Sequence, residues 1–279
     1  MVPTLPAWFA RFCDPAADRV AVLAQALHAA LIPFDLVTTG TFRHVQVRLA
    51  RPLTPLPGEK ILFAHHDRVA GTPGANDNGA SVLALVDYLR RPHKSPPPRV
   101  VFTDGEELAS GASASDQGVH ALARRWGPLR GLFPLVLDMT GIGDTLVLGH
   151  LGEHLRRRSR ADAAPDALDS YAQLRMHAKR FLATCGAGDT LEVNTPFSDD
   201  LGLFLAGIPA VQISLLPRKE ALAYRRARSE PGELSGADPG ALPPAWRAMH
   251  GPGDTPDTLW PASRALMGQV LDKLEGFPL

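Results

Sequence analysis

A three-layer α/β/α sandwich around a mostly parallel, mixed central sheet is the fold this sequence predicts, on three observations. Four short apolar runs, 60–64 (KILFA), 99–103 (RVVFT), 134–139 (PLVLDM) and 210–214 (AVQIS), have the length and continuity of strands covered on both faces. Segments with apolar residues at helical spacing lie between them, and strands alternating with helices give a parallel sheet with helices on both sides. The third observation is size: 279 residues with 45% hydrophobic content can bury one large core. The expectation is a single domain over 1–279, with residues 1–57 supplying an N-terminal helix and edge strands.

The elements follow in order. Asp14-Pro15 reads as a helix start, and Val, Leu and Ala recur at helical spacing through 17–32 up to Pro33. Residues 44–50 (HVQVRLA) alternate like a half-exposed strand. Helical patterns at 80–91, 118–126, 170–183 and 199–207 separate the buried runs, and a last helix at 261–277 closes the chain. Residues 216–246, rich in Arg, Glu, Pro and Gly, read either as a solvated excursion with a short helix or as a flap bordering a substrate mouth. There is no internal repeat and no low-complexity tract.

In such sheets ligands bind beyond the carboxyl ends of the strands, so the residues that follow the buried runs matter most. His65, His66 and Asp67 follow the first run, Glu106 and Glu107 the second, and Asp138 the third, while Asp77 lies in the turn PGANDNGAS. Carboxylates gathered at one sheet edge repel one another unless positive charge sits among them, and a metal ion supplies it. Mixed His and carboxylate donors without Cys point to zinc or a similar divalent ion in a hydrolytic site. In an extended segment Glu106 and Glu107 point opposite ways, so one can bind metal while the other faces water. Alternation puts residues 65 and 67 on one face, which makes His65 the better ligand than His66 and Asp67 the carboxylate that orients its ring.

Taken in order, HHD, PGANDNGAS, DGEE, LVLDMTG, SDDLGLFLAGIPA and HGPGDTPDT resemble the zinc aminopeptidase and glutaminyl cyclase family of clan MH exopeptidases, from about residue 58 to the C terminus. The resemblance implies that family's zinc exopeptidase fold (phosphorylase/hydrolase-like) and a position-by-position assignment. His65, Asp77, Glu107, Asp138 and His250 would be metal ligands, with Asp67 orienting His65 and Glu106 the general base. In the two-metal members His65 and Asp138 would hold one zinc, Glu107 and His250 the other, with Asp77 between them. Gly251 stands where the family has Thr, and LASGASASDQG after DGEE is longer and more polar than the aminopeptidase pattern. That extension and the pair Asp199-Asp200 resemble the glutaminyl cyclases, in which one zinc, held by the counterparts of Asp77, Glu107 and His250, suffices.

The function these residues imply is a zinc-dependent aminopeptidase taking peptides from their N terminus. The alternative is a glutaminyl-cyclase-like acyltransferase, and a third reading is a non-catalytic binding module that kept the fold. Asp199 and Asp200 are candidates to receive a substrate amine, or else an N-cap pair for the following helix. Trp246, four residues before His250, either walls a substrate pocket or anchors its loop. His28, His44 and His177 read as structural, and LRRRSR (155–160) as a solvated helix face. Equal acidic and basic totals, 29 each, leave no broad basic field for nucleic acid or an anionic membrane. No basic-then-apolar leader and no span of about 18 apolar residues is present, and the two cysteines suit free thiols, so a cytoplasmic protein is expected.

Overall fold

The computed structural model describes residues 4–48, 52–93, 96–109, 111–127, 129, 131–151, 165–186, 190–196, 198–229 and 242–279. Its strands are β1 (Phe34–Thr39), β2 (Phe42–Val47), β3 (Lys60–His65), β4 (Arg99–Thr103), β5 (Phe133–Leu137), β6 (Thr145–Gly149), β7 (Leu191–Val193) and β8 (Val211–Leu216). They form one sheet in the order β1-β2-β4-β3-β5-β8-β6-β7. The helices are α1 (Ala7–Phe12), α2 (Arg19–Ala29), α3 (Ala80–Leu89), α4 (Gly118–Trp126), α5 (Pro165–Thr184), α6 (Asp199–Leu205), α7 (Arg218–Ser229) and α8 (Pro261–Gly276).

The four apolar runs of the sequence are the parallel centre of this sheet, β4-β3-β5-β8. β2 and β6 run against their central neighbours, which makes the sheet mixed. Period-two alternation along β3 separates the two helical layers. Leu62 and Ala64 join a large cluster with residues of α2, α3, α5 and α8, whereas Ile61 and Phe63 join Val119 and Leu122 of α4 and Leu203 of α6. Phe63 and Phe102 are wholly enclosed, each adding about 1.5–3 kcal/mol by leaving water. After β4 the chain passes back over β3 to β5, so the strand order reverses around β3, the place where α/β sheets open a crevice.

Several elements depart from the expectation. The second helix starts at Arg19 rather than after Asp14, because the Asp18 carboxylate accepts from the N–H groups of Val20 (3.1 Å) and Ala21 (3.4 Å). β2 is not half exposed: residues 44–47 are all buried. His44 pairs with Thr39 Oγ1 (2.7 Å) and accepts from the Asp104 N–H (3.2 Å), and burial pushes its pKa down to about 4. Its role is structural, as the sequence suggests. In 216–246, α7 and Pro244–Trp246 pack a third apolar cluster on β6, β7 and β8, so the flanks of that stretch belong to the body of the fold. Residues 230–241 and LRRRSR lie outside the described residues. Among the described residues no helix is long and apolar enough to cross a membrane.

The link from β5 to β6 is tight. Gly143 adopts φ +140°, and a Cβ there would lie 2.3 Å from the backbone carbon of Leu216. Gly143→Ala should cost about 2–4 kcal/mol through strain plus overpacking. Urea unfolding would read this as a lower midpoint at unchanged slope. A loss below about 0.5 kcal/mol, the range of an ordinary surface change, would show that the loop relaxes freely.

Candidate metal centre

The carboxyl ends of β3, β4 and β5 meet at the reversal. His65 is the last residue of β3, Glu106 and Glu107 follow β4 by three and four residues, and Asp138 follows β5 directly. Asp77 comes from the turn between β3 and α3. Gly74 makes that turn possible: its φ is +55°, and a Cβ would sit 2.6 Å from the Asp77 carbonyl oxygen. Asn78 ties the turn to the sheet by donating Nδ2 to the Leu137 carbonyl at 2.8 Å.

His65 Nε2 lies 3.3 Å from Asp77 Oδ1 and 3.6 Å from Asp138 Oδ1. His250 Nε2 lies 3.2 Å from Asp77 Oδ2 and 3.1 Å from Glu107 Oε2. The two carboxylate oxygens of Asp77 therefore face two different imidazoles. Donor atoms of His65, Asp77 and Asp138 fall within 4.8 Å of one another, and so do those of Asp77, Glu107 and His250. Met139 (φ 50°) and His250 (φ 61°) hold left-handed backbone, sparsely used by non-glycine residues and concentrated at functional sites.

These residues fit a divalent ion. His65 Nε2, Glu107 Oε1 and Asp138 Oδ1 are buried without a hydrogen-bond partner, a costly arrangement for an interior with nothing else to satisfy. Ligand bonds of about 2.0–2.1 Å in a tetrahedron place neighbouring donors about 3.3 Å apart, which is the spacing of the four His–carboxylate pairs. Nitrogen and oxygen donors without thiolate suit zinc and similar ions.

The titration of the groups reflects the same crowding. Burial opposes charge on His65, yet Asp138, Asp67 and Asp77 together raise its pKa well above the imidazole range. Asp77 and Glu107 raise His250 to about 10. Burial likewise works against ionisation of Asp77, but His250 and His65 hold it well below the ordinary carboxylate range. Glu106 goes the other way: burial, then Glu107, Asp138 and Asp199, push it well up against the pull of His65.

An outer layer orients these side chains. Asp67 accepts from the Glu107 N–H at 2.9 Å through Oδ2 and faces His65 Nδ1 with Oδ1 at 3.5 Å. Gln117 donates to Glu106 Oε1 at 3.2 Å. Thr195 donates to the Gln212 carbonyl at 2.5 Å, which turns the Gln212 amide to donate to Asp138 Oδ2 at 3.3 Å and leaves Asp138 Oδ1 toward His65. The signal for Gln212 was a polar residue inside the buried run AVQIS; Gln117 and Thr195 carried none.

The seven residues expected to bind metal or handle protons, His65, Asp67, Asp77, Glu106, Glu107, Asp138 and His250, thus converge. The three substrate-side candidates sit differently. Asp199, 0% exposed, accepts from Thr103 Oγ1 at the end of β4, and burial raises its pKa to about 7. Asp200, 1% exposed, accepts from the Ser198 N–H, and burial raises it to about 8. Trp246 does not wall a pocket. It is 0% exposed, donates Nε1 to the Leu215 carbonyl at 3.3 Å and packs edge-on against Tyr224, so it anchors its loop to the core.

Solved structures share the fold at low identity. A Zn-dependent exopeptidase from Parabacteroides distasonis has a TM-score of 0.59 at 15% identity, over 99% of this chain and 99% of that one. A leucine aminopeptidase precursor from Bacteroides thetaiotaomicron gives 0.59 at 19%, over 98% and 97%. Glutaminyl cyclase from Porphyromonas gingivalis gives 0.60 at 14%, over 97% and 94%. No curated protein sequence matches the chain. Peptidase family M28 matches residues 52–273, a span that holds every residue of the centre. The chain belongs to peptidase family M28 and is an enzyme of the metallopeptidase type.

Proposed function

We propose that this chain is a zinc-dependent aminopeptidase that hydrolyses the N-terminal residue from peptides at a two-ion centre. The observation that carries the reading is the pair of complete donor triads sharing Asp77. His65, Asp138 and Asp77 would hold one zinc, and Glu107, His250 and Asp77 the other. Bound there, the ions would polarise the scissile carbonyl and lower the pKa of a water molecule.

The chain's own residues handle the proton. Glu106, steadied by Gln117, takes it from the attacking water and returns it to the leaving amine. With positive charge among Asp77, Glu107 and Asp138, the like-charge part of its elevated pKa falls away and burial remains to tune it. Asp67 and Gln212 keep His65 and Asp138 aimed at the centre while this happens. Asp199 and Asp200 have almost no exposed surface, so a substrate amine reaches the ion side of the centre before it reaches either.

One observation favours a second reading, the single-zinc glutaminyl cyclase. Asp199, raised by burial to about 7, and Asp200, raised by burial to about 8, are buried acids that also feel the Asp138 charge, and Asp199 in turn raises Glu106, a set suited to passing protons during ring closure. Peptide substrates assayed for released amino acid, and Gln-peptides assayed for ammonia, separate the two. Ammonia without amino acid release would replace the first reading by the second.

Metal content is the next measurement. Wild type under zinc-replete conditions should bind two ions per chain; His65→Ala and Asp138→Ala should each bind one, and Asp77→Ala none. Gln212→Leu, which frees Asp138, should weaken binding by about 10- to 100-fold. A wild type that saturates at one ion counts for the cyclase, and a wild type with no ion removes both readings.

The two glutamates should fail in different ways. Glu106→Gln keeps shape but loses basicity, so turnover should fall by about 10²-fold or more with zinc retained. Glu107→Gln should lose zinc first and activity in consequence. If Glu106→Gln sheds zinc while Glu107→Gln keeps it, base and ligand are exchanged.

A further inference from the structure

We infer that Arg19 is a positioning residue for the metal centre, holding together the two stems of the segment that carries His65 and Asp77. Its guanidinium is buried, 5% exposed, and stacked on the Phe12 ring at 4.3 Å. Five of its hydrogen bonds go to backbone carbonyls: Nε to Phe12 (3.1 Å), Nη1 to His66 (3.2 Å) and Asp67 (3.0 Å), Nη2 to Pro73 (2.6 Å) and Gly74 (2.5 Å). One stem of the segment leaves β3 immediately after His65 and the other enters the turn of Asp77. The planar fork clamps the two stems in one geometry, and five bonds exceed what the three donors of an ammonium can make.

Asp254 completes the clamp from the opposite side. Its carboxylate accepts from the N–H groups of Asn76 (2.7 Å) and Asp77 (3.0 Å), and its carbonyl from that of Ala75 (3.0 Å). It lies four residues beyond His250. Arg19 thus takes the carbonyls of the turn, Asp254 takes its N–H groups, and the separation of His65, Asp77 and His250 is fixed by these two side chains. Without the guanidinium the carbonyls of His66, Asp67 and Pro73 lose the partner described here, while that of Phe12 keeps Arg68 and that of Gly74 keeps the Gly79 N–H; each buried orphan costs about 1–3 kcal/mol unless the backbone turns away. Turning away displaces Asp77.

The sign of the effect distinguishes positioning from charge. A fixed cation beneath a cation site repels the incoming ion, so a residue acting by charge alone would, when removed, raise metal affinity. A positioning residue does the opposite.

The inference rests on the metal-centre reading, and cobalt(II) titration of the full-length chain, followed by visible absorption, tests both separately. Wild type that binds no cobalt refutes the centre itself. With wild-type binding in place, Arg19→Met and Arg19→Lys should each bind cobalt at least about tenfold more weakly with an altered spectrum, as loss of an orienting contact does. Phe181→Leu, a core change at the opposite end of β5 beside Phe133 and Phe277, serves as the stability control. It should lower the melting temperature without changing affinity or spectrum.

Tighter binding by Arg19→Met, unchanged binding by Arg19→Lys, or an equal loss in Phe181→Leu overturns the inference. If neither Arg19 variant folds, Gly74→Ala decides, since a Cβ there would lie 2.8 Å from Arg19 Nη2 and open the clamp without changing any charge. Wild-type cobalt affinity in that variant overturns the inference, and a tenfold loss upholds it.

Discussion

Repulsion among buried carboxylates is the constraint around which this molecule is arranged. Asp77, Glu106, Glu107 and Asp138 meet around His65 at the end of one sheet, with Asp199 close enough to raise Glu106 further. Such a gathering is unstable unless positive charge lies within it. The two imidazoles supply part, each raised by the carboxylates it faces. The spacing of the remaining donors is that of metal ligands, and several of their atoms are buried without a hydrogen-bond partner. The stability of the site and its chemistry therefore depend on the same charge.

The fold meets this constraint by delivering acids from rigid elements. Parallel strands end side by side, so β3, β4 and β5 each bring a candidate ligand or base to the centre without any long loop. Their apolar bodies pack on both faces, which fixes the strand ends. The candidate ligands that do not come from strand ends, Asp77 and His250, lie in turns stiffened by left-handed backbone and by Asp254. Strand ends carry His65, Asp138 and the glutamate pair, and stiffened turns supply Asp77 and His250.

Legibility in the sequence follows the range of the interactions involved. His65, Glu106, Glu107 and Asp138 were visible because each sits where an apolar run stops. Asp77 was visible through its glycine-rich turn. His250 has no such local mark, and only the resemblance to known exopeptidases pointed to it. The sequence leaves Trp246 open between pocket wall and loop anchor because the partners that settle it as an anchor, the Leu215 carbonyl and Tyr224, are long-range. Arg19 was invisible for the same reason, since four of its five acceptors lie between 47 and 55 residues away. α1, β1 and β7 are too short or too mixed in pattern to stand out, and β6 is a five-residue run.

Access to the centre is one-sided. The His250 side chain is 48% exposed, whereas those of His65, Asp77, Glu107 and Asp138 are 0%, 8%, 7% and 6% exposed. Whatever enters or leaves passes His250 first. With ions held as proposed, the one between Glu107 and His250 would exchange with solvent faster than the one between His65 and Asp138. A reagent that modifies imidazoles would meet His250 long before His65, and so would dismantle the centre from the outside inward.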